Sequence, residues 1–263
     1  MSFPAGDRLF RSTAYYYRMF RKPYPGELFE LQRTRFDLNS SGILLDVGCG
    51  TGQLTIPSNS DFKSATGLDV SGEMIDEARR AATEVGVENV EFEVRGAEEL
   101  NEADGPVRLA LFGSSLHWMD IPSVLSQVRG ITEAGGGIAV IGMRSIWGGD
   151  SDWELAVMDV VRQFLGEERR AGSGRYSEPE VNFEDAISNA GYSDVESGEI
   201  PCDYTVDIPW ITGHLYSTSY CNRELLGDRI KEFESELRGA LLRIDPSGRF
   251  QWKPSVSYIF GDA

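Results

Sequence analysis

The sequence predicts an α/β fold in which a mostly parallel sheet carries helices on both faces, and three observations predict it. Short apolar runs recur through the first half of the chain, at residues 43–47, 65–70 and 107–112. Segments of helical periodicity lie between them, at residues 73–85 and 121–131. The first run ends in a glycine cluster, Asp46-Val47-Gly48-Cys49-Gly50-Thr51-Gly52. Open α/β sheets bind ligands beyond the carboxyl ends of their strands. Strands that alternate with helices form right-handed βαβ units and hence a parallel sheet.

The elements follow in order. Residues 8–24 are rich in aromatics and arginine, and they precede Pro25-Gly26 and a helix-like stretch at 27–36. The run at 43–47 is apolar without alternation, as a strand covered on both faces must be. Residues 65–70 repeat that pattern. The helix at 73–85 places Met74, Ala78 and Ala81 on one face. Residues 90–94 alternate as a third strand, and 107–112 form a fourth. A helix at 121–131 leads through Gly135-Gly136-Gly137 into a fifth strand at 137–143. The tail predicts a helix at 181–189, a strand at 195–204 and a last strand at 249–260. It also predicts a long amphipathic helix at 221–243, with Leu225, Leu226, Ile230, Phe233, Leu237 and Leu241 near one stripe. Two strands around a helix suggest an antiparallel hairpin added at the sheet edge.

The 263 residues suit a single domain over 1–263. An N-terminal lid is expected at about 8–26, and helical cap segments, rich in Trp, Tyr and Gly, at about 145–178 and 207–244. Apolar residues make up 41 %, enough for a sizeable core, and no apolar run reaches the roughly 18 residues a bilayer requires. Residues 1–6 carry no signal-like segment, so a cytoplasmic location and no membrane partner are expected. Cys49, Cys202 and Cys221 are few and widely spaced, and His117 and His214 are the only histidines. Neither a disulfide framework nor a metal site is expected. The net charge of −17 repels phosphate, so no nucleic-acid partner is expected. The basic run Arg18, Arg21, Lys22 reads as charges around a tight turn. Monomer and homodimer both fit the sequence.

The glycine cluster admits three ligands. A dinucleotide fingerprint needs G-x-G-x-x-G, whereas the spacing here is G-x-G-x-G with an acid two residues before it. A P-loop needs Gly-Lys-Ser/Thr, which is absent. A ligand with an ammonium, a sulfonium and no phosphate suits the acid. A plain strand-to-helix turn would need only one or two of the glycines. Asp69 ends the second strand, where a carboxylate can bind both hydroxyls of a ribose. Ser71 can cap the next helix, which leaves Asp69 free for that role. Met74 then lies beside the base or packs in the core.

The order LLDVGCGTGQL, then GLDVSGEMIDEAR, then Ala97-Glu98 after a third strand resembles class I S-adenosylmethionine (SAM)-dependent methyltransferases. It is most similar to the methyltransferase type 11 and trans-aconitate-methyltransferase-like group. Tyr16-Tyr17 with Arg21, Tyr24-Pro25, Leu116-His117-Trp118, Tyr216-Ser217-Thr218-Ser219 and Asp245-Pro246-Ser247-Gly248 carry the likeness along the chain. The resemblance implies a Rossmann-like class I methyltransferase sheet, with SAM as cofactor and S-adenosylhomocysteine as product. It implies that Asp46, Gly48, Cys49, Gly50 and Gly52 hold the methionine part. Asp69 would bind the ribose, with Val70, Met74, Ala97 and Glu98 around the adenine. Ser114 would lie under the sulfonium, and Tyr17 and Arg21 would close over the cofactor. Two departures stand out: Gly96 replaces a frequent acid before the Ala, and Arg108 replaces a frequent Asp at the fourth strand.

Methyl transfer is an in-line displacement that needs alignment and removal of water. His117 is the candidate base, against a reading in which the His-Trp pair packs beside the cofactor. Tyr16, Trp118, Trp147 and Tyr220 are the candidate substrate contacts. The acceptor is expected to be a small molecule with an O, N or C nucleophile. A methyltransferase-fold protein that binds SAM yet catalyses a cyclisation or isomerisation is the alternative. A NAD-dependent oxidoreductase is disfavoured by the glycine spacing.

Overall fold

The computed structural model describes residues 12–171, 174–175 and 181–263. Residues 8–11 of the expected lid, and 172–173 and 176–178 of the expected cap, lie outside the described residues.

Helices α1 (Ala14–Phe20) and α2 (Gly26–Arg35) precede β1 (Ile43–Val47). There follow α3 (Thr55–Ser58), β2 (Ser64–Asp69), α4 (Gly72–Val85), β3 (Val90–Val94), β4 (Val107–Gly113), α5 (Ile121–Ile131) and β5 (Thr132–Met143). Next come α6 (Asp152–Leu165), a short pair β6 (Arg170–Ala171) and β7 (Gly174–Arg175), α7 (Phe183–Asn189) and β8 (Ser193–Pro201). The chain closes with β9 (Tyr204–Asp207), α8 (Ile208–Tyr216), α9 (Arg223–Leu226), α10 (Ile230–Ile244), β10 (Arg249–Trp252) and β11 (Ser255–Asp262).

The main sheet has seven strands in the order β3-β2-β1-β4-β5-β11-β8. β1 to β5 pair in parallel, and β11 runs antiparallel to both of its neighbours. The fold is therefore α/β and mostly parallel, as the alternation predicts. The expected antiparallel addition at the sheet edge is made by β11 and β8, which are distant in the chain, and β8 takes the outermost place.

The unbroken apolar runs follow from two covered faces. Successive residues of a strand point to opposite sides. Leu45, Val47, Ala110, Phe112, Ile138 and Val140 join one cluster with Val124, Leu125 and Val128 of α5. Leu44, Leu109, Leu111, Ala139 and Ile141 join another with Leu28 and Phe36 from the N-terminal segment. Ile75, Ala78 and Ala82 of α4 pack on Cys49 and Phe92.

A separate apolar cluster joins α6, α8 and α10 with β9 and β10, centred on Val157, Ile211, Leu215, Phe233, Leu237 and Trp252. Here the structure corrects two expectations. The helix expected at 221–243 is broken, because Gly227 adopts φ 52° and ψ −130°, outside the helical region. The strand expected at 249–260 is two strands. β10 pairs with β9 in its own two-stranded sheet, and β11 joins the main sheet. Pro254 lies between them, and it lacks an N–H for a ladder.

Phe260 of β11 is fully buried, stacked on Tyr258 at 4.6 Å and edge-on to Phe36 at 5.4 Å. Phe260→Ala is expected to destabilise the protein by about 3–5 kcal/mol. Urea unfolding should show a lower midpoint with an unchanged slope.

Candidate functional site

β1 delivers the glycine loop to the carboxyl edge of the sheet. Gly48, Gly50 and Gly52 adopt φ of 75°, 54° and 79°. The backbone N–H groups of Gly48 and Cys49 both donate to the Leu68 carbonyl at 2.8 Å, which folds the loop back onto β2. A Cβ on Gly48 would sit 2.5 Å from Ser115 Cβ, so no larger residue fits there. The Ser115 hydroxyl donates to the Val47 carbonyl at 2.6 Å and ties the end of β4 to that of β1.

The loop surrounds two carboxylates. Asp69 accepts from Gly50 N at 3.0 Å and from Ser71 N at 2.8 Å. Burial raises its pKa, and those two amides oppose the rise. Asp46 is 1 % exposed and accepts from Thr55 Oγ1 at 2.6 Å. Its other oxygen, Oδ1, is buried without a hydrogen-bond partner among the described residues. Its pKa is raised to about 7, chiefly by burial and also by the Asp69 charge, with the Thr55 hydrogen bonds working against the rise.

Around Asp69 the expected residues gather unevenly. Val70 is 43 % exposed. A Cβ on Gly96 would lie 3.4 Å from the Glu98 carboxylate and 3.7 Å from Val70. Val70, Gly96 and Glu98 thus border one surface. Ala97 and Met74 are buried, and the Met74 amide is capped by Ser71. Arg108 lies far from this group, donating to the Phe36 carbonyl.

α1 stands over the loop. Tyr17 is the nearest side chain to a Cβ built on Gly50, at 3.8 Å. Arg21 lies 4.7 Å from the Tyr17 ring centroid and donates to Ser217 Oγ at 2.9 Å.

Beyond the ends of β4 and β5 lies a cavity of about 580 Å³. Tyr17, Arg21, Ser114, His117, Trp118 and Tyr220 all line it. Ser114 holds φ 54°, a conformation non-glycine residues rarely adopt. His117 and Trp118 share one short turn, with ring centroids 4.7 Å apart. Burial first and the Arg169 charge second lower the His117 pKa to about 4. Two expected substrate contacts fall elsewhere. Tyr16 packs edge-on to Tyr216 at 5.3 Å, and Trp147 edge-on to Tyr220 at 5.1 Å. Both belong to the apolar cluster of α6, α8 and α10 rather than to the cavity wall, because large rings there gain more from core packing.

Sequence reasoning did not select Arg169, which lines the cavity and lies 5.4 Å from the Tyr220 ring centroid. No motif marks it. Tyr24 was also passed over, although Tyr24-Pro25 signalled it. Its hydroxyl lies beside Ser114, Tyr17, Asp46 and Arg21, and burial raises its pKa.

Residues 44–136 match the family described as methyltransferase domain. Aklanonic acid methyltransferase of Streptomyces sp. strain C5 is 32 % identical over 100 residues, 36 % of this chain and 46 % of that protein. The tRNA 5-carboxymethoxyuridine methyltransferase of Escherichia coli K12 is 33 % identical over 101 residues, 37 % and 39 % of the two chains. The chain spans about half or less of the length of the curated relatives it matches. A solved type II methyltransferase from Anaeromyxobacter dehalogenans shares the fold, at 20 % identity and a TM-score of 0.61, covering 92 % of this chain and 98 % of that one. The matched methyltransferase domain begins in β1 and contains the glycine loop and Asp69, and the mostly parallel sheet around it has the fold of the solved structure from Anaeromyxobacter dehalogenans.

Proposed function

We propose that the chain transfers a methyl group from SAM to a small-molecule acceptor bearing an anionic oxygen. The observation that carries the cofactor half is the orphaned Oδ1 of buried Asp46 beside a loop of three left-handed glycines. A buried carboxylate at that position lacks a donor, and the ammonium of a methionine moiety is such a donor. Gly48, Cys49, Gly50 and Gly52 let that moiety approach the backbone. Asp69 takes the ribose hydroxyls, while Val70, Met74, Ala97 and Glu98 border the adenine. Ser114 lies under the sulfonium, and Tyr17 with Arg21 covers it. Bound SAM supplies an electrophilic methyl group.

The cavity holds the acceptor. Arg21, Arg169 and the Tyr220 hydroxyl converge on its cap side, and both guanidinium charges act on that hydroxyl. Glu184 and Glu199 line the opposite, sheet-edge side. Donors and cations gathered on one wall favour an acceptor with a carboxylate or similar group there. His117 is neutral near pH 7 and a weak base. An acceptor that is already ionised needs no proton removed, which suits this cavity. His117 therefore acts by packing and hydrogen bonding rather than as a general base. The names of the two relatives, aklanonic acid and 5-carboxymethoxyuridine, both describe acidic targets. The net charge of −17 supports a small acceptor over RNA.

Three outcomes test this reading. Asp69→Ala is expected to weaken SAM binding about 100-fold in calorimetric titration, from the loss of charge-assisted hydrogen bonds. Its melting temperature should stay close to that of the parent. Asp46 in the free protein is protonated below about pH 7, and an ammonium partner favours its carboxylate. SAM affinity should therefore rise with pH toward 7 and level off above it, by at most about tenfold per unit. Asp46→Asn should remove that slope. Incubation with SAM and a panel of carboxylic acids should release S-adenosylhomocysteine, and the matching primary amides should not. Acceptor conversion without S-adenosylhomocysteine would instead favour a cyclisation or isomerisation.

A further inference from the structure

α1 is held on two sides by different forces. Toward α8 its contacts are apolar apart from the Arg21–Ser217 hydrogen bond at its C-terminal end: Tyr16 packs against Tyr216, and the Phe20 ring fills the space beside Gly213. On the other side it meets a row of acids on α4. Glu73, Glu77 and Glu84 are four and seven residues apart, so they share a face of that helix. Arg18 spans this row. Its Nη1 and Nη2 donate to the two Glu84 oxygens at 3.0 and 3.1 Å, and its Nε lies 3.2 Å from Glu77. Glu77 is only 8 % exposed, and Arg80 also reaches it at 2.7 Å. The Ser12 amide donates to Glu73 at 2.7 Å.

These contacts differ in what they determine. Apolar packing is non-directional and leaves a short helix free to slide or turn. A guanidinium forked onto one carboxylate, with a second carboxylate in ion-pair distance, fixes both position and rotation. Tyr17 is the neighbour of Arg18, and its ring lies over Gly50. Register set at Arg18 is passed directly to the group that covers the glycine loop.

We propose that Arg18 is a positioning residue: its ion pairs with Glu77 and Glu84 hold Tyr17 over the glycine loop and so set how long the cofactor stays bound. This rests on the reading above that the loop holds SAM. The arrangement links retention to ionic strength, because Arg18 and Glu84 are partly open to solvent.

The test uses S-adenosylhomocysteine as probe, with dissociation followed by rapid-mixing tryptophan fluorescence. Arg18→Met keeps an apolar stem and removes the charge. Its dissociation rate is expected to rise roughly fivefold, with little change in association rate. Glu77→Gln should give a smaller rise, and the double variant should be no worse than Arg18→Met. Arg18→Lys should recover part of the loss. In the parent protein, raising salt from 50 to 500 mM should speed dissociation, and Arg18→Met should be insensitive to it. Dissociation unchanged in Arg18→Met would overturn the proposal, as would a lowered melting temperature with parental binding. Parental protein that fails to bind the probe would overturn the reading of the glycine loop itself, and this role of Arg18 with it.

Discussion

The closeness of the ends of β1 and β4 is the constraint on which the site depends. Gly48 rests against Ser115, whose hydroxyl bonds to the Val47 carbonyl. That contact leaves the chain no course except back toward β2, where the Leu68 carbonyl accepts two successive amides. Asp69, the last residue of β2, then receives the Gly50 amide. Three adjacent parallel strands thus shape one loop, and the loop is as rigid as the sheet that carries it.

Electrostatics follows from the same geometry. Folding brings Asp46 and Asp69 into one buried region of a protein with a large excess of acids. Asp69 is compensated by the amides of Gly50 and Ser71, and Asp46 by Thr55 alone. Neighbouring carboxylates in unequal surroundings separate in pKa. The one with fewer donors is left suited to a cation. The cavity nearby is lined by charges of both signs, Arg21 and Arg169 with Glu184 and Glu199.

The sheet was legible in the sequence because strands buried on both faces leave unbroken apolar runs, as at Leu44-Leu45 and Leu109-Ala110-Leu111. The loop was legible because three glycines at alternate positions have few other uses. The tail was less so. An amphipathic stripe continues across Gly227, so periodicity alone could not show the break. One alternating run served two sheets, since β10 and β11 have similar patterns and only Lys253-Pro254 separates them. Among site residues, those next to the glycines were named from the chain. Arg169 was not, because a cation on a connecting segment carries no local pattern. Tyr16 and Trp147 were aromatic enough to suggest a ligand, yet rings of that size satisfy a core equally well.

β11 sits between β5 and β8 although it follows both in the chain. β8 therefore finds no partner in the main sheet until β11 is in place. The five parallel strands can pair among themselves first, but the outer antiparallel pair must wait for a segment far downstream of β8. For that interval β5 presents an open, apolar edge. Closure of the sheet is therefore a late event of folding, and any delay in docking β11 would prolong the exposure.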